Sequence, residues 1–95
     1  YGAGEAGFAT KKVLEHDAKS FVSIVAFIDD DPKKIGKVVD GIMIRSMRDL
    51  QKIAASQEID EIVIAVFDLS PVKKNILVDF CLDKNIKVIP VTRNI

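Results

Sequence analysis

The amino-acid sequence predicts an α/β fold, a doubly wound parallel sheet, from three observations. Apolar runs rich in Val and Ile, at residues 21–28, 62–66 and 86–91, are continuous rather than alternating, the pattern of strands covered on both faces. Stretches with helical spacing lie between them, so helix and strand alternate along the chain as right-handed crossovers require. A glycine-rich segment, Gly2-Ala3-Gly4-Glu5-Ala6-Gly7, opens the first helical stretch.

Each element has its own residues. Ala6, Ala9, Val13 and Leu14 put small and apolar groups on one face of a first helix. The strand over 21–28 stops at Asp29-Asp30-Asp31-Pro32, and a short strand over 42–44 follows the turn at Asp40-Gly41. Ser46 with Asp49 three residues later forms a capping box ahead of Leu50, Ile53 and Ala54 on a second helix. Ser70 and Pro71 are the cap and first-turn pair of a third, whose buried stripe is Val72, Ile76, Leu77, Phe80 and Cys81. The glycine segment should follow a central strand, yet only Tyr1 precedes it. The expectation is a piece of a longer protein, one domain over 1–95 with its first strand lost or truncated before Tyr1.

Composition narrows the function classes. Ninety-five residues suit one domain, and 48% hydrophobic with 29% charged residues is globular rather than disordered. Fourteen basic side chains balance fourteen acidic ones, so no positive field gathers nucleic acid. Cys81 has no internal disulfide partner, and no apolar run reaches the roughly 20 residues that span a bilayer. A cytoplasmic location without membrane contact by this segment is expected.

The segment from Gly2 to Gly7 matches G-x-G-x-x-G, with Gly2 for the tight turn, Gly4 for backbone approach to a pyrophosphate, and Gly7 for close helix packing. Backbone N–H groups of Ala3, Glu5 and Ala6 at the helix start would then meet the anion. Asp29, 22 residues beyond Gly7, suits a bidentate bond to ribose hydroxyls, with Asp30 beside it, which favours NAD over NADP. For Asp30 and Asp31 a solvated acidic turn stopped by Pro32 is the favoured reading, and Asp29 is the better ligand residue. Lys33, Lys34, Lys37 and Arg45 either hold a diphosphate or neutralise those aspartates. Phe67, in the loop after the strand over 62–66, either stacks on a nucleotide ring or fills the sheet edge. His16 is alone near a helix end, Cys81 is an inert core thiol, and no metal spacing or Tyr-x-x-x-Lys couple is present.

Tyr1-Gly2-Ala3-Gly4-Glu5-Ala6-Gly7, Val25-Ala26-Phe27-Ile28-Asp29-Asp30-Asp31-Pro32 with Lys34-Ile35-Gly36, Asp40-Gly41-Ile42, and Ile59-Asp60-Glu61-Ile62-Val63-Ile64-Ala65 together resemble a bacterial domain. It is the Rossmann-like, coenzyme A- or NAD-binding-like domain that precedes the catalytic domain in nucleotide-sugar dehydratases and epimerases of polysaccharide biosynthesis. The resemblance implies a parent acting on a UDP-sugar, for instance as a UDP-quinovosamine 4-dehydrogenase. It implies an accessory domain that binds NAD, with coenzyme A or a UDP-sugar as alternative ligands. The partners implied are a downstream catalytic domain and a second copy of the chain, with inner-membrane anchoring of the parent. This chain alone lacks the acid/base pair of a hydride-transfer enzyme and should be catalytically silent. The alternative is the NADH-sensing core of a redox-responsive repressor. One departure is Phe8, where relatives tend to carry a basic residue; an aromatic directly after Gly7 narrows the phosphate approach.

Overall fold

Residues 1–17 and 21–91 are described in a computed structural model of the chain. Helix α1 (Glu5–His16) starts at Gly4, and the run over 21–28 is paired only at its end, β1 (Phe27–Ile28). A hairpin of β2 (Val38–Val39) and β3 (Ile42–Arg45) follows, then α2 (Met47–Ser56), β4 (Glu61–Ile64), α3 (Pro71–Asp83) and β5 (Lys87–Pro90). Both expected serine caps form: the Ser46 hydroxyl accepts from Asp49 N at 3.1 Å and the Ser70 hydroxyl from Lys73 N at 3.3 Å.

The doubly wound, Rossmann-like parallel sheet is not what these elements build. A mixed sheet of order β1-β3-β2 stands beside a separate parallel pair, β4-β5. The physical reason lies in two places. Asp40 and Gly41 both take positive φ, 51° and 78°, which is the two-residue turn whose twist matches an antiparallel hairpin, so β2 returns against β3 instead of crossing over. Residues 21–26 run without strand pairing, and no strand joins β1 to β4 among the described residues. Tyr1 and Gly2 lie in that interval instead. Tyr1 N donates to Val63 O at 2.6 Å, Ala65 N donates to Tyr1 O at 2.8 Å, and Gly2 N donates to Ile28 O at 2.7 Å.

Two apolar clusters hold this arrangement. Ile28, Leu50, Ile62, Ile64, Leu77, Cys81 and Ile86 form the larger, so β1 contributes to the core that α2, β4 and α3 share. Ala3, Phe27 and Ile44 form the smaller, with Phe8 against it. The expected inner face of α1 is displaced. Gly7 and Lys11 are its buried residues while Val13 is 69% exposed, because the helix sits close enough on the Gly2 turn to need glycine inside. Lys11 is tolerated there because Glu15 one turn on, and Asp40 at 3.9 Å, meet its ammonium. On α3 the stripe narrows to Leu77 and Cys81, with Val72 and Ile76 facing solvent.

Candidate functional site

The site is a cleft where the Gly2 turn, the end of β1 and the loop after β4 meet. Gly2 takes φ +113°, and a Cβ there would stand 2.7 Å from Val66 Cγ2 and 2.9 Å from Ala65 O. Both the dihedral and the crowding demand glycine. A Cβ on Gly7 would run into the Gly2 carbonyl oxygen, so Gly7 lets α1 lie directly on the turn. Gly4 differs, because its Cβ would meet only Lys34 Nζ, at 4.0 Å. Packing does not require glycine at that position, which opens onto the cleft.

Gly2, Gly4, Glu5, Ala6, Asp29, Asp30 and Phe67, all singled out from the sequence, line this cleft of about 520 Å³. Ala3 and Gly7 stand behind it, both buried. The first N–H groups of α1 lack carbonyl partners within the helix, and Gly4 supplies no side-chain cap, so this end of the helix is a partial positive charge. Lys34 and Lys73 reach the cleft from two sides.

Asp29 does more than the sequence reading gave it. Its Oδ2 accepts from Ala3 N and its Oδ1 from Asp31 N, each at 2.9 Å, so the carboxylate clasps the glycine turn to the end of β1. Lys34 Nζ lies 3.9 Å from the same Oδ2. Burial works to raise this carboxyl, but the N–H groups of Ala3 and Asp31, the Lys34 ammonium and the Asp30 N–H outweigh it and hold it below the usual carboxylate range. A carboxylate offers about four lone-pair sites, and three backbone N–H groups and the Lys34 ammonium already face this one, so a ligand hydroxyl bonds here only by sharing an oxygen with them or displacing Lys34.

Asp30 is engaged differently: the Tyr1 hydroxyl donates to it, and Lys73 Nζ is 3.6 Å away. A lone tyrosine ahead of a glycine motif carries no sequence signal for this bond. The Cys81 thiol, wholly buried, is pushed up by desolvation. Asp31 takes the turn role: its Oδ1 accepts from Lys33 N at 2.9 Å and its carbonyl from Lys34 N at 3.0 Å. Phe8 does not obstruct the cleft. Its ring packs edge-on against Phe27, centroids 5.4 Å apart, on the far side of the turn. Phe67 sits at the rim, 44% exposed.

Among the described residues no group of three or more His, Cys, Asp or Glu side chains could hold a metal ion, and no helix is long and apolar enough to cross a membrane. Set against family models, curated proteins and solved structures, the chain matches none.

Proposed function

We propose that the cleft binds a nucleotide through its diphosphate and ribose, with NAD the preferred ligand and coenzyme A and UDP-sugars the alternatives. The diphosphate lies on the opening turn of α1, where the bare Gly4 lets it approach and where Lys34 and Lys73 turn to it from their pairs with Asp29 and Asp30. The ribose hydroxyls bond Asp29 by taking the place of the Lys34 ammonium, which lies 3.9 Å from Oδ2, and Phe67 stands at the rim. A 2′-phosphate would meet Asp29 and Asp30, so NADPH binds less well than NADH. The observation that carries this reading is Gly4, a glycine with no packing need for one, set at the mouth of the cleft.

The wider role follows from the sequence resemblance: a cytoplasmic accessory domain of a nucleotide-sugar dehydratase, epimerase or 4-dehydrogenase in polysaccharide biosynthesis, docked on a catalytic domain and itself without turnover. Calorimetry with NADH, NADPH, coenzyme A and UDP-sugars tests the binding. NADH should bind, NADPH should bind more weakly, and Gly4→Val should abolish both while the protein still folds, its melting temperature a few degrees lower for the poorer helix cap. No binding by any of the four, or unchanged binding to Gly4→Val, ends the proposal.

A further inference from the structure

Residues 33–52 carry six basic side chains and two acidic ones, in a chain whose net charge is zero. The fold gathers the basic ones. Gly36 N donates to Ile44 O and Ile44 N to Lys37 O, each at 2.8 Å, so the turn over 33–37 lies along the end of β3, where Arg45 stands. Arg48 and Lys52 follow, one turn apart on the outward face of α2, opposite its buried Leu50 and Ile53. Of the six, only Lys34 meets a carboxylate, that of Asp29. Lys33, Lys37, Arg45, Arg48 and Lys52 have no ion-pair partner among the described residues, and all but Arg45 are exposed. They do not neutralise the aspartates after β1, which Lys34 and Lys73 meet instead. Nor do the two acids of the segment offset them, since Asp40 lies 3.9 Å from Lys11 and Asp49 is half-buried.

Beside these cations lies an apolar pair. Val38 and Met43 stand opposite one another across β2 and β3, 59% and 42% exposed, and Arg45 is on the same face of β3 as Met43. Uncompensated positive charge around open apolar side chains calls for an anionic occupant with an apolar group. Nucleic acid, a lipid surface and another polypeptide can each supply negative charge, and the surroundings choose among them. Asp29, Asp30 and Asp31 border the patch, with Lys33 N bonded to Asp31 Oδ1 at 2.9 Å, so a continuous polyanion laid across it would meet three carboxylates. No aromatic residue occurs over 33–52 on which a base could stack. An anionic bilayer meets the same repulsion and needs a broader apolar face than Val38 and Met43. A short acidic segment of a protein sets its charges only where the cations are.

We infer that the face formed by Lys33, Lys37, Arg45, Arg48 and Lys52 docks an acidic segment of a partner protein, which rests an apolar side chain on Val38 and Met43. The guanidinium groups of Arg45 and Arg48 offer forks that match a carboxylate with two parallel bonds, and the lysines add point charges around them. Exposed charges of this kind steer encounter and select the partner more than they tighten the complex, so the contact is weak and sensitive to salt. Lys34, which serves the nucleotide cleft, is not part of this face, so the docking does not depend on what the cleft holds.

The test is fluorescence anisotropy of the labelled peptide Glu-Asp-Leu-Glu-Glu-Ile-Asp titrated with the protein. Binding should weaken about fivefold between about 50 and about 200 mM salt, as exposed charges are screened. Arg48→Glu with Lys52→Glu, both at exposed positions, should weaken it about tenfold. Lys74→Glu with Lys84→Glu makes the same change in net charge at exposed positions of α3 and its cap, and should leave binding within about twofold. Val38→Ser with Met43→Ser should weaken it about threefold. Circular dichroism checks that each variant is folded. The inference is overturned if the peptide does not bind, if the two charge-reversed proteins lose binding equally, or if replacing the apolar pair changes nothing. Tighter binding of a DNA duplex, or of phosphatidylcholine–phosphatidylserine vesicles, that Arg48→Glu with Lys52→Glu removes would also overturn it. So would self-association that the same variant abolishes, because a second copy would then be the occupant.

Discussion

Replacing Asp29 with alanine is the sharpest probe of how the glycine turn is held. Two backbone N–H groups lose their acceptor, Ala3 N from Oδ2 and Asp31 N from Oδ1. Hydrogen bonds to a charged group are worth about 1.5–3 kcal/mol each. Ala3 is 2% exposed, so its N–H is left without water and loses near the upper figure. Asp31 is half-buried, water substitutes, and its loss is near 1 kcal/mol or less. The Lys34 pair is half-exposed and adds only a few tenths. The expected loss is about 4 kcal/mol, which in urea lowers the midpoint by about 2.7 M for a slope near 1.5 kcal/mol/M. Asp29→Asn keeps one oxygen for one N–H and should lose about half as much.

The same carboxylate sets an acid limit. Its folded value lies below the ordinary one of about 3.9, so its contribution is complete above that pH and drains away as pH falls through the lower, folded value. Wild-type stability should therefore drop across that acidic window, and Asp29→Asn should lose that part of the slope. A loss under about 1 kcal/mol in Asp29→Ala, together with an unchanged acid profile, would refute the clasp.

Two further substitutions test the packing. Gly7→Ala drives a methyl group into the Gly2 carbonyl and should cost about 2 kcal/mol or more, seen as a fall in the circular-dichroism melting temperature; an unchanged melt would mean α1 is not seated on the turn. Leu77→Ala, at a residue 1% exposed, should cost about 3 kcal/mol in urea, whereas Val72→Ala on the same helix, at 70% exposure, should stay within about 0.5 kcal/mol; similar losses at both would contradict the orientation of α3.

Local chemistry was legible in the sequence and partnership was not. Ser46 and Ser70 declared their helix starts because a cap is made by residues three apart, within reach of any sequence reading. The apolar runs located β4 and β5 within a residue or two, since β-branched stretches bounded by turn residues have few other uses. Pairing depends on residues far away. The run over 21–28 is apolar and rich in Val and Ile, as β4 is, yet only Phe27 and Ile28 find a neighbour in β3. The turn at Asp40-Gly41 was visible, but its antiparallel consequence was outweighed by the alternation of helices and strands. Lys11 shows the same limit on α1, where helical spacing chose Ala9 and Val13 as the inner face and contact with Gly2 chose Gly7. At the cleft, spacing identified Asp29, but that it serves the protein's own backbone first emerged only when Ala3 was seen beside it.

The hairpin at Asp40 and Gly41 also decides where the molecule is safe from its own kind. By turning back, the chain ends its mixed sheet in β2, an outer edge two residues long with Lys37 immediately before it. So brief a rim, bearing a cation, gives a wandering chain too little main chain to grip, and stacking of copies from that side is discouraged. Val38, 59% exposed, can therefore face water there without seeding fibrils.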